Sequence, residues 1–207
     1  MNASQPIYGD IVVGARGWRH PAWQQDYYPE DIPEEWRLGF YGNEFNTLIL
    51  PWADWCEGIE SEWCEQLDDL DDNFHLYLEL PSEVQALPEG IASLGEGEQL
   101  AGLVCRQGDA EQWREQADIT GLALLKQVSP VDGPFQCYAC SGEDTVRLVL
   151  VDTAAQQIED LLGMREVVEQ VLPVIENIER LDFILVDNEP AIESMRNTQT
   201  IAELLGA

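Results

Sequence analysis

The chain has 207 residues, of which 45 % are hydrophobic, and sets 40 Asp and Glu against 10 Lys and Arg for a formal net charge of −30. That apolar share excludes a disordered chain and suffices for one sizeable core, so a single domain over residues 1–207 is expected. Phosphate backbones and anionic lipid surfaces are held by Lys/Arg fields, so neither nucleic acid nor membrane is an expected partner; a basic protein facing the acidic surface is a possible one.

The opening MNASQPIYGDIVV lacks a basic segment followed by a long apolar run. No stretch approaches the roughly 18 apolar residues that span a bilayer, so a cytoplasmic protein is expected. The cysteines Cys56, Cys64, Cys105, Cys137 and Cys140 are odd in number and read as reduced thiols.

In chain order, apolar β-rich runs occur at Ile11–Val13, Thr47–Leu50, Phe74–Leu80, Leu103–Cys105, Leu122–Leu125, Phe135–Tyr138, Val146–Val151 and Phe183–Val186. Several are continuous rather than alternating, the pattern of strands covered on both faces. Helical patterns lie between most of them, at Pro33–Tyr41, Glu57–Leu70 and Asp109–Ala117, the last behind a plausible Asp cap. A longer one runs from Ile158 to Leu181, kinked or divided at Pro173, and a final one from Glu189–Pro190 to Leu205. Strand and helix in alternation predict a parallel sheet with helical cover. Phe135–Tyr138 and Val146–Val151 depart from it, because the short link Ser141-Gly142-Glu143-Asp144 suits a hairpin. The reading is an α/β fold, a small and partly degenerate TIM-like (β/α) barrel with an irregular edge near residues 127–145.

Two ends of the chain carry a resemblance. Val13-Gly14-Ala15-Arg16-Gly17-Trp18, then Trp23, Tyr27-Tyr28-Pro29 and Phe45-Asn46-Thr47-Leu48, resemble the opening of the YecE-like family (domain of unknown function 72). Leu185-Val186-Asp187-Asn188, then Met195-Arg196-Asn197 and Ile201–Leu205, resemble its closing strand and last helix. The resemblance implies a barrel of the triosephosphate isomerase type, and it implies no defined activity. There are departures. Ile49, Leu50 and Pro51 stand where the family has Glu-Ile-Asn, Glu79 where a lysine is common, and Val104-Cys105-Arg106-Gln107 where Glu-Phe-Arg-His is usual. A shortened, divergent member is implied.

In such a barrel functional groups project from the C-terminal strand ends. That places Arg16, Trp18, Trp23, Arg106 and Asn188 as candidate ligand contacts, and Asp187, Glu79 and Asp152 as candidate catalytic carboxylates. His20, before Pro21, could reach the mouth as a general base, whereas His75 reads as a structural strand residue. Cys137-Tyr138-Ala139-Cys140 is a C-x-x-C followed by a turn rather than a helix, which argues against redox or zinc chemistry. No metal and no cofactor are expected. The phosphate-loop, dinucleotide and serine-elbow motifs are missing. A binding barrel for a small polar molecule, with little or no catalysis, is the leading expectation. A carboxylate-dependent hydrolase or isomerase and an acidic protein-interaction domain are the alternatives.

Overall fold

The computed structural model describes residues 8–57, 66–67, 69–83, 86–88, 90–91, 99–128, 134–143, 145–158, 160–176 and 178–207. Eight strands close in sequence order: β1 (Asp10–Arg16), β2 (Thr47–Leu50), β3 (His75–Glu79), β4 (Leu100–Cys105), β5 (Leu124–Gln127), β6 (Phe135–Cys140), β7 (Val146–Val151) and β8 (Arg180–Leu185). β8 returns to β1 in parallel, with Gly14 opposite Ile184 and Ala15 opposite Leu185. The barrel is therefore closed, and the ends of β1 and β8 share one rim.

β6 alone runs against its neighbours, antiparallel to both β5 and β7. The expected hairpin is present, and an antiparallel return from β6 to β7 needs no crossover helix. Its turn, opening at Ser141 and Gly142, lies at the N-terminal end of the barrel, the lower mouth; the C-terminal ends of the parallel strands form the upper mouth.

Alternation along each strand divides the core. Ile49, Tyr77, Val104, Leu125, Leu148 and Ile184 point inward and fill the barrel, each at most 2 % exposed. Val13, Leu48, Leu50, Leu76, Leu78 and Phe183 point outward beneath the helices and loops, all fully buried. Burying such a side chain contributes ~1.5–3 kcal/mol, and strands covered on both faces need apolar residues at consecutive positions. Gly14 sits where β1 approaches β2 so closely that a Cβ would lie 2.1 Å from the Thr47 carbonyl oxygen. Only glycine fits there.

Among the described residues the helices are α1 (Trp23–Asp26), α2 (Arg37–Gly42), α3 (Trp52–Trp55), α4 (Arg114–Thr120), α5 (Leu161–Val171) and α6 (Ile192–Leu205), the first four of two turns or fewer. Asp109 accepts from the Glu111 amide, a cap at the position expected, and opens a 3-10 turn into α4. The pattern read as one helix from Ile158 to Leu181 is corrected at both ends. Asp160 caps α5 by accepting from the Gly163 amide at 2.8 Å, so the helix begins at Leu161. Pro173 has no amide hydrogen to donate, and the chain tightens into a 3-10 turn at Leu172–Val174; Arg180 and Leu181 then belong to β8. α6 starts at Ile192, later than expected, because Ala191 remains extended ahead of it. Of the helix expected over Glu57–Leu70, residues 58–65 and 68 lie outside the described residues, while Gln66 and Leu67 are helical.

Candidate functional site

The upper mouth carries an ionic triad. Arg16 closes β1, Glu79 closes β3, and Arg106 follows β4. Arg16 Nε donates to Glu79 Oε2 at 2.6 Å, and an Arg106 terminal nitrogen donates to Oε1 and Oε2 at 3.2 and 3.3 Å. The three side chains are 28 %, 12 % and 22 % exposed, so water screens the cluster only in part. Two guanidiniums against one carboxylate leave local positive charge in a strongly acidic molecule. Arg106 Nε is buried with no hydrogen-bond partner. Tyr138, inward on β6 next to Arg106, has its phenol pushed up to about 12 by burial, against the pull of that guanidinium, and stays neutral. Its hydroxyl donates to Gln136 Oε1 at 2.9 Å.

The surroundings fix this triad. Trp55 of α3 donates its indole N–H to the Glu79 carbonyl at 3.2 Å and meets Trp52 edge-on. Gly17, with φ +82, turns the chain directly after Arg16. Asp54 is held above the ordinary carboxylate range by burial, with the Arg19, Arg16 and His20 charges opposing and Glu79 adding to the rise.

The two tryptophans of the expected pocket are packed inside, at 1 % exposure for Trp18 and 2 % for Trp23. Trp23 donates its indole N–H to the Pro190 carbonyl at 2.8 Å and stacks on Tyr41, so it ties the segment before α6 to the N-terminal aromatic layer. Trp18 carries the Arg19 guanidinium over its ring at 4.9 Å. His20 Nε2 lies 3.2 Å from the Gly17 carbonyl oxygen, and burial draws its pKa down despite the backbone partners at Gly17, Arg16 and Asn188. Asn188 is exposed just beyond β8.

Asp152 and Asp187 are placed away from the triad's hydrogen bonds. Asp152 Oδ1 accepts from the Ala155 amide, while Asp187 Oδ1 accepts from Thr153 Oγ1 at 2.9 Å and the Ala154 amide at 2.8 Å. Both brace the loop after β7, and Asp187 Oδ2 is buried without a partner. No hydrogen bond or ion pair among the described residues joins either aspartate to Glu79. The C-x-x-C cysteines face opposite ways: Cys137 packs in the outer core and Cys140 in the barrel interior. Burial lifts the Cys137 thiol to about 11 and raises Cys140 as well, so neither is an activated thiolate. Among the described residues no group of His, Cys, Asp and Glu is arranged to hold a metal ion.

The lower mouth was not foreseen. β3 turns His75, Tyr77 and Glu79 inward at successive alternate positions, so one strand supplies polar groups to both ends of the barrel. Asp182, inward on β8 and 1 % exposed, accepts from Tyr77 Oη and contacts His75 Nδ1, both at 2.6 Å through Oδ2. Its Oδ1 accepts from Arg180 Nε and a terminal nitrogen at 3.0 and 2.8 Å. Arg180 also donates to the carbonyls of Asn46 and Asn73. Burial, reinforced by Asp182, holds the Tyr77 phenol well above its ordinary pKa, so it remains a donor.

The architecture is a closed (β/α) barrel with one reversed strand and an ionic cluster at its upper rim. Its solved neighbours carry the family named by the two chain ends. It is similar to a DUF72 family protein from Thermotoga maritima, with a TM-score of 0.56 and 12 % identity, over 96 % of this chain and 100 % of that one. A DUF72 family protein from Enterococcus faecalis aligns with a TM-score of 0.54 and 12 % identity, over 93 % of this chain and 95 % of that one. The chain thus has the DUF72 barrel fold, as its two ends implied. No family model matches the chain, and no curated protein matches it. No helix among the described residues is long and apolar enough to cross a membrane.

Proposed function

We propose that the protein is a binding barrel with little or no catalysis, taking a small polar ligand with an anionic group at its upper mouth. The observation that carries this reading is the convergence of Arg16 and Arg106 on one carboxylate oxygen, Glu79 Oε2, at 2.6 and 3.3 Å. Two guanidiniums from different strands form a fork for carboxylate or phosphate, and Glu79 is the internal anion that a ligand must displace or share. Asn188, exposed on the same rim, is available for a neutral polar contact. Asp152 and Asp187 each commit one oxygen to the β7 loop, which holds both side chains in place there and favours binding over turnover, since acid–base catalysis needs carboxylates that reach the reacting atoms.

The test is thermal melting with inorganic phosphate, succinate and a sugar phosphate, each against NaCl of equal ionic strength. At least one anion is expected to raise the melting temperature of the native chain, with the rise lost in Arg16→Ala. Equal responses in both proteins, or no response beyond that of NaCl, would refute the reading.

A further inference from the structure

The lower mouth opens on a cavity of about 470 Å³, lined among others by His75, Tyr77, Arg147, Glu179, Arg180 and Asp182. That is the size of a small-molecule site. What it can bind follows from which polar groups are already engaged. Arg180 is paired with Asp182 at 2.8 Å, and Arg147 with Glu143 at 3.0 Å. Tyr77 spends its hydroxyl hydrogen on Asp182.

Besides the exposed Thr145 hydroxyl, two acceptor groups are left over. Asp182 Oδ2 faces Nδ1 of His75 at 2.6 Å, and a carboxylate offers only acceptors, so Nδ1 carries the hydrogen. With Nδ1 donating to Asp182, the neutral form of the ring presents Nε2 as an accepting lone pair; the side chain is 34 % exposed, and nothing among the described residues hydrogen-bonds to Nε2. Glu179 is exposed, and no cation among the described residues pairs with it. Both free groups are acceptors, one of them charged, in a molecule of net charge −30. Such a field raises the local concentration of cations.

We infer that the lower mouth is a second binding site, taking a small organic cation that carries N–H donors: a primary ammonium or a guanidinium. Glu179 supplies the countercharge. His75 Nε2 accepts one N–H, and Asp182, with Tyr77 and Arg180 behind it, holds the ring in the accepting tautomer and orientation. The site is separate from the upper mouth and does not depend on its ligand.

The experiment follows the imidazole resonances of the intact chain by NMR, with His20 as the internal reference. The probe is 1,4-diaminobutane in about 0.15 M NaCl, which screens the general field of the surface to within ~8 Å. A saturable shift confined to His75 is expected, and Glu179→Gln, an exposed change that spares the fold, should weaken binding roughly tenfold, the scale of one lost charged hydrogen bond. His75→Phe, which removes the reporter ring and is therefore read by titration calorimetry, should abolish binding. Tetramethylammonium has the charge without the N–H donors, and succinate the opposite charge. The inference is overturned if the diamine gives no saturable shift, if either control reproduces it, or if Glu179→Gln binds as tightly as the native chain.

Discussion

Replacing Glu79 by glutamine probes the upper mouth directly. The change keeps shape and one acceptor oxygen but removes the charge that separates Arg16 from Arg106. At an effective dielectric of about 20, unit charges ~4 Å apart interact by about 4 kcal/mol. Desolvation offsets much of this, and side chains 12–28 % exposed fall between surface pairs and fully buried ones. A net loss of about 2 kcal/mol is expected, which for a chain of this size lowers the melting temperature by roughly 4–8 °C. Millimolar phosphate should restore part of that loss in the variant and act less on the native chain, since the vacated fork accepts an external anion. The assay is calorimetry at fixed ionic strength, with Arg16→Ala and the double variant closing a mutant cycle. A variant as stable as the native chain and no more responsive to phosphate would show that the triad neither stores this energy nor forms an anion fork.

Trp23→Phe removes the indole N–H and leaves the Pro190 carbonyl without its donor, so a loss of about 1–2 kcal/mol is expected in denaturant titration; an unchanged midpoint would dismiss the link. The His20 pKa is lowered in the fold, so as pH falls below about 6.5 the unfolded chain takes up a proton that the native one resists, and stability drains away towards the folded pKa. The stability difference between native chain and His20→Gln should therefore shift in favour of the variant as pH drops from about 6.5 to 5, and a constant difference would contradict the burial argument. Mutual repulsion among the carboxylates predicts a melting temperature that climbs as NaCl goes from about 10 mM to 0.5 M, and a flat profile would count against it. Gly14→Ala, placing a methyl 2.1 Å from the Thr47 carbonyl, should cost several kcal/mol, read as lost or sharply destabilised soluble protein.

What could be read from the sequence depended on whether periodicity stood alone. Apolar strands such as Thr47–Leu50 and Val146–Val151 were visible because both faces need hydrophobic residues, and the short link after Cys140 betrayed the reversed strand. Arg16, Glu79 and Arg106 were found by asking what ends a strand, and those three do meet. Trp18 and Trp23 were placed at the mouth on position alone, since no local pattern distinguishes a wall-lining ring from one sealed in the aromatic layer. The lower mouth went unseen for two reasons. The C-terminal strand ends draw the eye to the other rim, and the first two residues of β8, Arg180 and Leu181, fall at the end of the helical pattern read from Ile158, with the strand read only from Phe183. The signal was nevertheless present: His-Leu-Tyr-Leu-Glu at 75–79 alternates polar with leucine, and Arg-Leu-Asp-Phe at 180–183 repeats the alternation.

The reversal of β6 has an architectural consequence for the two rims. In a wholly parallel barrel every strand is followed by a loop at the top, and the bottom carries only return segments. Turning one strand around gives the bottom a tight hairpin corner of its own, beside His75 and Arg180. Changes of length or sequence in that corner alter one entrance without touching the strand ends that build the other, so the two openings are free to evolve as separate inventions on one frame.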